Sequence, residues 1–227
     1  LHTGLECKLT IKPASENNGI KFILKKGNNN LVIPAKIDYV KSTNRGTNLH
    51  KNGNTICTVE HLLSAIYALN ITNLNIEISQ SELPILDGSS KLFYEKMKKI
   101  GITNQKQKIK EFLVQKHISF KSSKGIVFHL LPHDEFKFTY HLMYKELKLL
   151  NQAYSINVDE KTYYQEIADS KTFCLLSELL VLHDNDLIKG GTLDNAIVYI
   201  DKNVNQTEMN KINSIFKNSN TINYSGK

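Results

Sequence analysis

Apolar and polar positions alternate in short runs through the first third of the chain. Residues 5–12 alternate and predict a strand, and SENNG at 15–19 follows as a turn. Phe22–Leu24 and Leu31–Ile33 read as short strands on either side of a GNNN turn. The period then changes. Leu62, Leu63, Ile66 and Leu69 recur at helical spacing, so Val59 to Leu69 predicts a helix, with Thr58 as its N-cap. LNIEIS at 74–79 alternates strictly and predicts a strand. PILDGSS at 84–90 is a loop, and residues 91–100 place Leu92, Phe93, Met97 and Ile100 on one face of a second helix.

GITNQKQKIK at 101–110 is polar and lysine-rich, the composition of an interdomain linker. Beyond it strands are expected at 111–120, 125–131, 136–144 and 153–158. A helix is expected around 173–184, a turn at Gly190–Gly191 and a strand at 195–200. From Lys202 the chain is mostly polar, with a short helix expected over Met209–Phe216 and exposed loop after it. Two strand-rich halves, each with amphipathic helices, predict an α+β fold: two sandwich domains, residues 1–105 and 106–227, each a mixed sheet with helices packed on one face.

Charge and composition narrow the function class. The formal net charge is +7, yet only one of the 29 basic residues is an arginine, Arg45. The lysines are scattered among many Asn and Ile, which suits nucleotide bias better than a nucleic-acid surface, where arginines make bidentate contacts. No nucleic-acid partner is expected. Three cysteines, Cys7, Cys57 and Cys174, are far apart and form no CxxC pair, so neither a disulfide framework nor a thiolate zinc site is expected. They suit a reducing cytoplasm. There is no run of about 18 apolar residues to span a membrane, and the first residues lack the pattern of a secretory signal. The chain starts in mid-element without Met, as a fragment or a processed product would.

Glu60–His61, at the start of the first helix, is the local pattern with most chemical content. A metal hydrolase needs a neutral imidazole to hold the ion and a nearby carboxylate, not itself a ligand, to take a proton from water. Neighbouring residues in a helix project about 100° apart, so one can bind and the other flank. The same dipeptide also suits a plain solvated first turn with an acid near the helix dipole. His129, His133, Asp134 and His141 fall close together, but Pro132 interrupts them, and strand, turn and strand would separate their side chains. His183–Asp184 reads as the end of a helix. Asp87–Gly88 is first a turn, whose Asp can cap the next helix, and Gly190–Gly191 gives backbone freedom. No phosphate loop is present.

LHTG (1–4), TVEHLLSA (58–65), ELPILDGSS (82–90), KTF (171–173) and GGTLDNAIV (190–198) occur in this order. Together they closely resemble UDP-3-O-acyl-N-acetylglucosamine deacetylase, the zinc amidohydrolase that commits a sugar nucleotide to lipid A. The resemblance runs from the first residue to about Asp201. It implies two α+β sandwich domains with the site between them, a Zn2+ cofactor and a UDP-linked acylated glucosamine as substrate. It also implies a cytoplasmic, monomeric enzyme that releases acetate.

Carried over residue by residue, the resemblance makes His61 the first zinc ligand and Glu60 the general base. Thr172 becomes the hydroxyl that steadies the tetrahedral intermediate. Phe173, Leu175, Leu179, Ile188, Gly191, Thr192, Leu193, Ala196 and Val198 become the wall of an acyl passage, and His2 lies close to the site. Read without the family, the leucine-rich helix is one that packs on its own core.

The chain also departs from the pattern. The family completes its zinc site with a His and an Asp four residues apart, and adds a later His. No HxxxD occurs here. One imidazole falls short of the three protein ligands usual in catalytic sites, so weak zinc binding and no turnover are expected of this chain, against both for a full-length parent. Lys171 stands where the family has Arg, which keeps the charge but loses the bidentate fork, and YHLMYKEL at 140–147 replaces a more acidic stretch. Two other readings follow: a non-catalytic homologue that binds a nucleotide sugar or a protein, and a basic nucleic-acid-binding module.

Overall fold

The computed structural model describes residues 1–27, 29–144, 151–185 and 187–216. In the first half the elements are β1 (Leu9–Pro13), β2 (Ile20–Lys26), β3 (Asn29–Pro34), β4 (Val40–Ser42), β5 (Asn48–Lys51), β6 (Asn54–Ile56), α1 (Glu60–Ala68), β7 (Leu74–Ile78) and α2 (Lys91–Ile100). Four strands form one mixed sheet in the order β1-β7-β2-β3. The strand latest in sequence is internal: β7 runs antiparallel to β1, with Leu9 opposite Ile78, and parallel to β2, with Ile20 opposite Leu74. A parallel neighbour requires a crossover, and the segment from β3 to α1 supplies it.

Strict alternation in β7 buries Leu74, Ile76 and Ile78 and leaves Asn75 and Glu77 partly exposed. Those three meet Phe22 and Leu24 of β2, Leu62, Ala65 and Ile66 of α1, and Phe93 and Met97 of α2 in one core. Each such side chain contributes roughly 1.5–3 kcal/mol on burial. The first half is thus a sheet with both helices in its core.

A second, three-stranded sheet, β4-β5-β6, was not legible in the sequence. Its strands are only three or four residues long and read VKS, NLHK and NTI, with one core residue each from β5 and β6, Leu49 and Ile56. Two apolar anchors cannot set a period.

The second half holds β8 (Ile118–Lys121), β9 (Val127–Leu130), β10 (Lys137–Leu142), β11 (Gln152–Asn157), α3 (Glu160–Thr162) running into a π-helical turn at Tyr163–Ile167, β12 (Phe173–Leu175), α4 (Leu176–Asp184), β13 (Ile197–Tyr199) and α5 (Gln206–Ile215). Mixed α+β character is as expected. A second sandwich is not what the described residues show. Their strands form separate pairs, β8–β9, β10–β11 and β12–β13, and the two hairpins are mostly exposed, with Ile156 of β11 buried. Local pairing forms each hairpin.

Other boundaries also move. The strand expected at 111–120 shrinks to Ile118–Lys121, and the one expected at 5–12 begins at Leu9. Phe173–Leu175, expected as the start of a helix, is a strand parallel to β13, because Phe173 pairs with Ile197 and Leu175 with Tyr199. The turn from Glu160 to Ile167 was missed altogether. Its buried Tyr163, with Ala168, belongs to the core of the first half. A second core gathers Leu176, Leu179 and Leu180 of α4 with Ile212 of α5 and Phe216. The polar tail after Phe216, and Lys145–Leu147 of the 140–147 stretch, lie outside the described residues.

Candidate functional site

Helix α1 begins at Glu60, but Thr58 does not cap it. Thr58 has a left-handed backbone (φ +61°), Val59 occupies the cap position, and no side chain bonds the first-turn amides. The Thr58 hydroxyl points instead at Glu82 Oε1, 3.5 Å away. Glu60 and His61 therefore leave a tight turn side by side, with His61 Nε2 4.0 Å from Glu60 Oε1. The Glu60 carboxylate is 36% exposed and the imidazole 16%. Thr47 N–H donates to Glu60 Oε2 at 2.9 Å, and Gly46 lies so close that a Cβ there would be 2.9 Å from Oε1. The loop Arg45–Thr47 thus fixes the carboxylate. Sequence reading missed it, because a single N–H contact leaves no side-chain signal.

Burial lowers the pKa of His61, against the opposing pull of the Glu60 and Asp87 carboxylates, so the ring favours its neutral form. A neutral imidazole is the metal-ligating form. Cys57 and Cys174 stay in the thiol form. Burial foremost raises both thiols, Cys174 to about 11, and the thiolate is the form that binds.

The 84–90 loop joins this turn to the second half. Asp87 Oδ1 accepts from the amide and hydroxyl of Ser89, so Asp87 closes its own turn and does not cap α2. Gly88 O accepts from Thr172 N at 3.0 Å, and Thr172 O accepts from Ile197 N at 2.9 Å. Gly88 (φ +82°) faces Asn195 so closely that a Cβ would lie 1.9 Å from the Asn195 carbonyl oxygen. Asn195 is itself buried, accepting from Thr192 N and donating to Gly190 O. The structure thereby brings Thr172, through its backbone, against the loop that carries Asp87.

The N-terminal segment closes the third side. His2 N and Thr3 N each donate to Glu82 at 2.8 Å, and the Thr3 hydroxyl donates at 2.6 Å. Leu1 O and His2 O accept from Gly190 N and Lys189 N. The His2 ring lies beside the Arg45 carbonyl, Nε2 at 3.4 Å, while its Nδ1 is buried without a partner. Four non-glycine residues in these meeting segments, Arg45, Thr58, Leu86 and Ile188, hold left-handed backbones. Such conformations cost of order 1–3 kcal/mol each and persist where surroundings fix them.

Of the residues expected in an acyl passage, Leu179, Ile188, Leu193 and Val198 gather in the second core. Leu175 is buried, Phe173 is exposed and stacks edge-on against Tyr199 at 5.6 Å, and Gly191, Thr192 and Ala196 are half-buried in the loop and turn between α4 and β13. Three other histidines are engaged elsewhere. His129 faces His117 at 3.0 Å, and His133 bonds within its own turn to Glu135. The end of α4 is capped by Asn185, whose side-chain amide donates to Val181 O. A cleft of about 650 Å3 near Tyr94, Lys98, Glu160 and Tyr164 includes none of the site residues.

Among the described residues no group of three or more His, Cys, Asp or Glu side chains is placed to hold a metal ion. His61 suits one coordination position by its neutrality, and the set does not make a complete zinc site.

Residues 1–215 match the family described as UDP-3-O-acyl N-acetylglycosamine deacetylase, LpxC. The chain is 38% identical over 210 residues to the bifunctional enzyme LpxC/FabZ of Chlorobaculum tepidum, covering 92% of this chain and 45% of that protein. It is 36% identical over 204 residues to the UDP-3-O-acyl-N-acetylglucosamine deacetylase of Thermodesulfovibrio yellowstonii, covering 90% of this chain and 69% of that one. For the deacetylase of Chlamydia pneumoniae the identity is 36% over 206 residues, with 90% and 73% covered. The chain thus spans about half the length of the bifunctional relative and about 70% of the others. By the extent of that match and the order of its motifs, this chain belongs to the LpxC family of zinc-dependent deacetylases of lipid A biosynthesis.

Proposed function

We propose that this chain carries the Glu60 side of an amidohydrolase site that removes the N-acetyl group of UDP-3-O-(3-hydroxyacyl)-N-acetylglucosamine. Water adds to the acetyl carbonyl, the C–N bond breaks, and acetate and a free amine leave. Glu60 accepts the proton of the attacking water and returns it to the departing nitrogen. The observation that carries this reading is the Glu60–His61 pair in one turn, with Glu60 Oε2 held by Thr47 and Oε1 left toward the imidazole. A fixed, partly exposed carboxylate is what proton transfer needs.

Thr172, held through its backbone by Gly88 and Ile197, is assigned to bond the developing oxyanion. His2, whose ring lies beside the Arg45 carbonyl, is assigned to a polar group of the substrate. Phe173 and the partly exposed members of the second core, Ile188, Leu193 and Val198, offer the apolar face for the acyl chain, with Gly191, Thr192 and Ala196 along its edge. Each buried methylene there is worth about 0.8 kcal/mol. The two halves are taken as residues 1–105 and 106–227, and the working unit as a cytoplasmic monomer. Among the described residues no helix is long and apolar enough to cross a membrane.

His61 is assigned as one zinc ligand. The other ligands have to come from outside the described residues, and no step is assigned to the metal. Alone, these residues are expected to bind zinc weakly and to turn over little. The second reading is a non-catalytic homologue that binds a nucleotide sugar or a protein partner.

Zinc content and acetate release by the full-length gene product separate the two. Glu60→Gln is expected to lower turnover about 10^2–10^4-fold with zinc content unchanged, and His61→Ala to lose both. Full activity in Glu60→Gln overturns the assignment, and a full-length product with neither zinc nor activity favours the second reading.

A further inference from the structure

Glu82 stands apart from the groups assigned above. It is a carboxylate only 4% exposed, next to no catalytic atom, yet it accepts three hydrogen bonds from the N-terminal segment: His2 N, Thr3 N and the Thr3 hydroxyl. A buried charge with fewer partners costs several kcal/mol, so this one is committed to its contacts. Its own backbone is fixed against the start of α1. Residues 57 and 82 form a parallel bridge, Cys57 N donates to Ser81 O and Leu83 N to Cys57 O, and the Thr58 hydroxyl reaches Oε1. On the other side, the segment that Glu82 grips accepts from Gly190 N and Lys189 N.

We propose that Glu82 is a positioning residue, one carboxylate that registers the N-terminal segment, and His2 within it, against the α1 turn that carries Glu60 and His61. Residues 1 and 2 are otherwise held through main-chain bonds to residues 189 and 190. Residues 1–8 form no strand, and the His2 ring touches the site only through a 3.4 Å approach to the Arg45 carbonyl. Two backbone amides and a hydroxyl converging on one carboxylate define both position and rotation of residues 2 and 3. The ring is thereby held with Nε2 toward the Arg45 carbonyl and Nδ1 turned inward, without a partner among the described residues. The ligand half of this inference rests on the UDP-sugar reading given above.

The test uses the full chain with Glu82→Gln, His2→Ala and the double variant. Glu82→Gln keeps the shape but replaces one acceptor oxygen by an NH2 that faces N–H donors. Amide hydrogen exchange is expected to speed up at His2 and Thr3 at least about tenfold, with Leu62 and Ile66 of α1 unchanged. For UDP-N-acetylglucosamine as probe, each single variant is expected to lose about tenfold in affinity and the double variant no more than His2→Ala alone, the mark of one coupled unit. Unchanged exchange at His2 and Thr3, exchange that rises equally at Leu62 and Ile66, or additive losses would each overturn the proposal. If the unaltered chain does not bind the probe, the UDP-sugar reading fails, and the exchange rates still decide the role of Glu82.

Discussion

Replacing Gly88 with alanine tests the contact between the two halves most directly. Two costs follow from the geometry. The residue has φ +82°, and a left-handed L-residue costs about 1–2 kcal/mol. The new Cβ would also stand 1.9 Å from Asn195 O, 2.6 Å from its carbonyl carbon and 3.1 Å from its Cα, all backbone atoms. Relief to ordinary contact needs a retreat of about 1.5 Å, which a rotamer change cannot supply. Overpacking of this kind costs about 1–3 kcal/mol. The retreat also strains the Thr172 N–H to Gly88 O bond, worth about 0.5–1.5 kcal/mol. The sum is about 2.5–6.5 kcal/mol. Gly53→Ala is the control: φ is +72° with nothing within 4 Å of its Cβ, so only the about 1–2 kcal/mol backbone cost applies. Equilibrium urea unfolding of both variants reads the difference. If they lose equal stability within about 0.5 kcal/mol, the loop does not press on Asn195 as described.

Three further outcomes follow from the structure. In the stability of the whole chain, burial disfavours an ionised Glu82, but the His2 and Thr3 donors outweigh it and hold the carboxyl down to about 2. A depressed carboxyl stabilises above the ordinary value of about 4.5 and loses that contribution as pH falls toward 2. The stability gap between the unaltered chain and Glu82→Gln, at most about 3 kcal/mol, should therefore be full at pH 7 and shrink between pH 4.5 and 2 in urea titrations. Tyr163→Phe removes a hydroxyl that bonds Ser64 of α1 and Ser90 at the head of α2, at 2.9 and 2.6 Å. It should cost about 1–2 kcal/mol, and a loss under 0.3 kcal/mol refutes the bond. Cys57 and Cys174, with raised thiols, should react with iodoacetamide far more slowly at pH 7.5 than free cysteine; mass spectrometry of the labelled chain shows it.

The first half was the more legible because its signals are periodic. β7 alternates, and α1 and α2 repeat at helical spacing, so local pattern and tertiary burial agree. The motifs of the site were visible as well, but only half of their geometry. Glu60 and His61 could be placed at a helix start from spacing alone. The Thr58 cap could not be corrected from sequence, since threonine rarely adopts a left-handed backbone and a cap is its ordinary role. The same holds for Leu86 and Ile188. Glu82 was hidden for another reason. Its partners are backbone amides 79 and 80 positions away, and a main-chain donor carries no residue-type signature. In the second half, alternation in β8 to β11 was read as evidence for a covered sheet. These strands do alternate, but Phe120 and Phe128 face each other across a solvated hairpin; periodicity reports a strand and not what packs on it.

The motifs fall far apart in the chain and meet at one place, and most of their contacts are main-chain to main-chain. Residues 1 and 2 bond 189 and 190, residue 47 holds 60, residue 57 pairs with 82, residue 88 bonds 172 and presses on 195, and residue 172 bonds 197. The small, polar or glycine identities in LHTG, ELPILDGSS and GGTLDNAIV are those that let backbones approach this closely. Asn195 reproduces with its side chain a pair of turn hydrogen bonds, which a β-branched residue could not do. Motif identity at this site is thus in large part a requirement for close mating of segments, and Glu60, His61, Thr172 and His2 are the residues to which the proposed function assigns side-chain chemistry. It follows that changes at Gly88, Asn195 and Glu82 should act on activity through geometry. Their variants should keep whatever proton-transfer pKa the intact site has and lose rate by misplacement, where Glu60→Gln loses the proton acceptor itself.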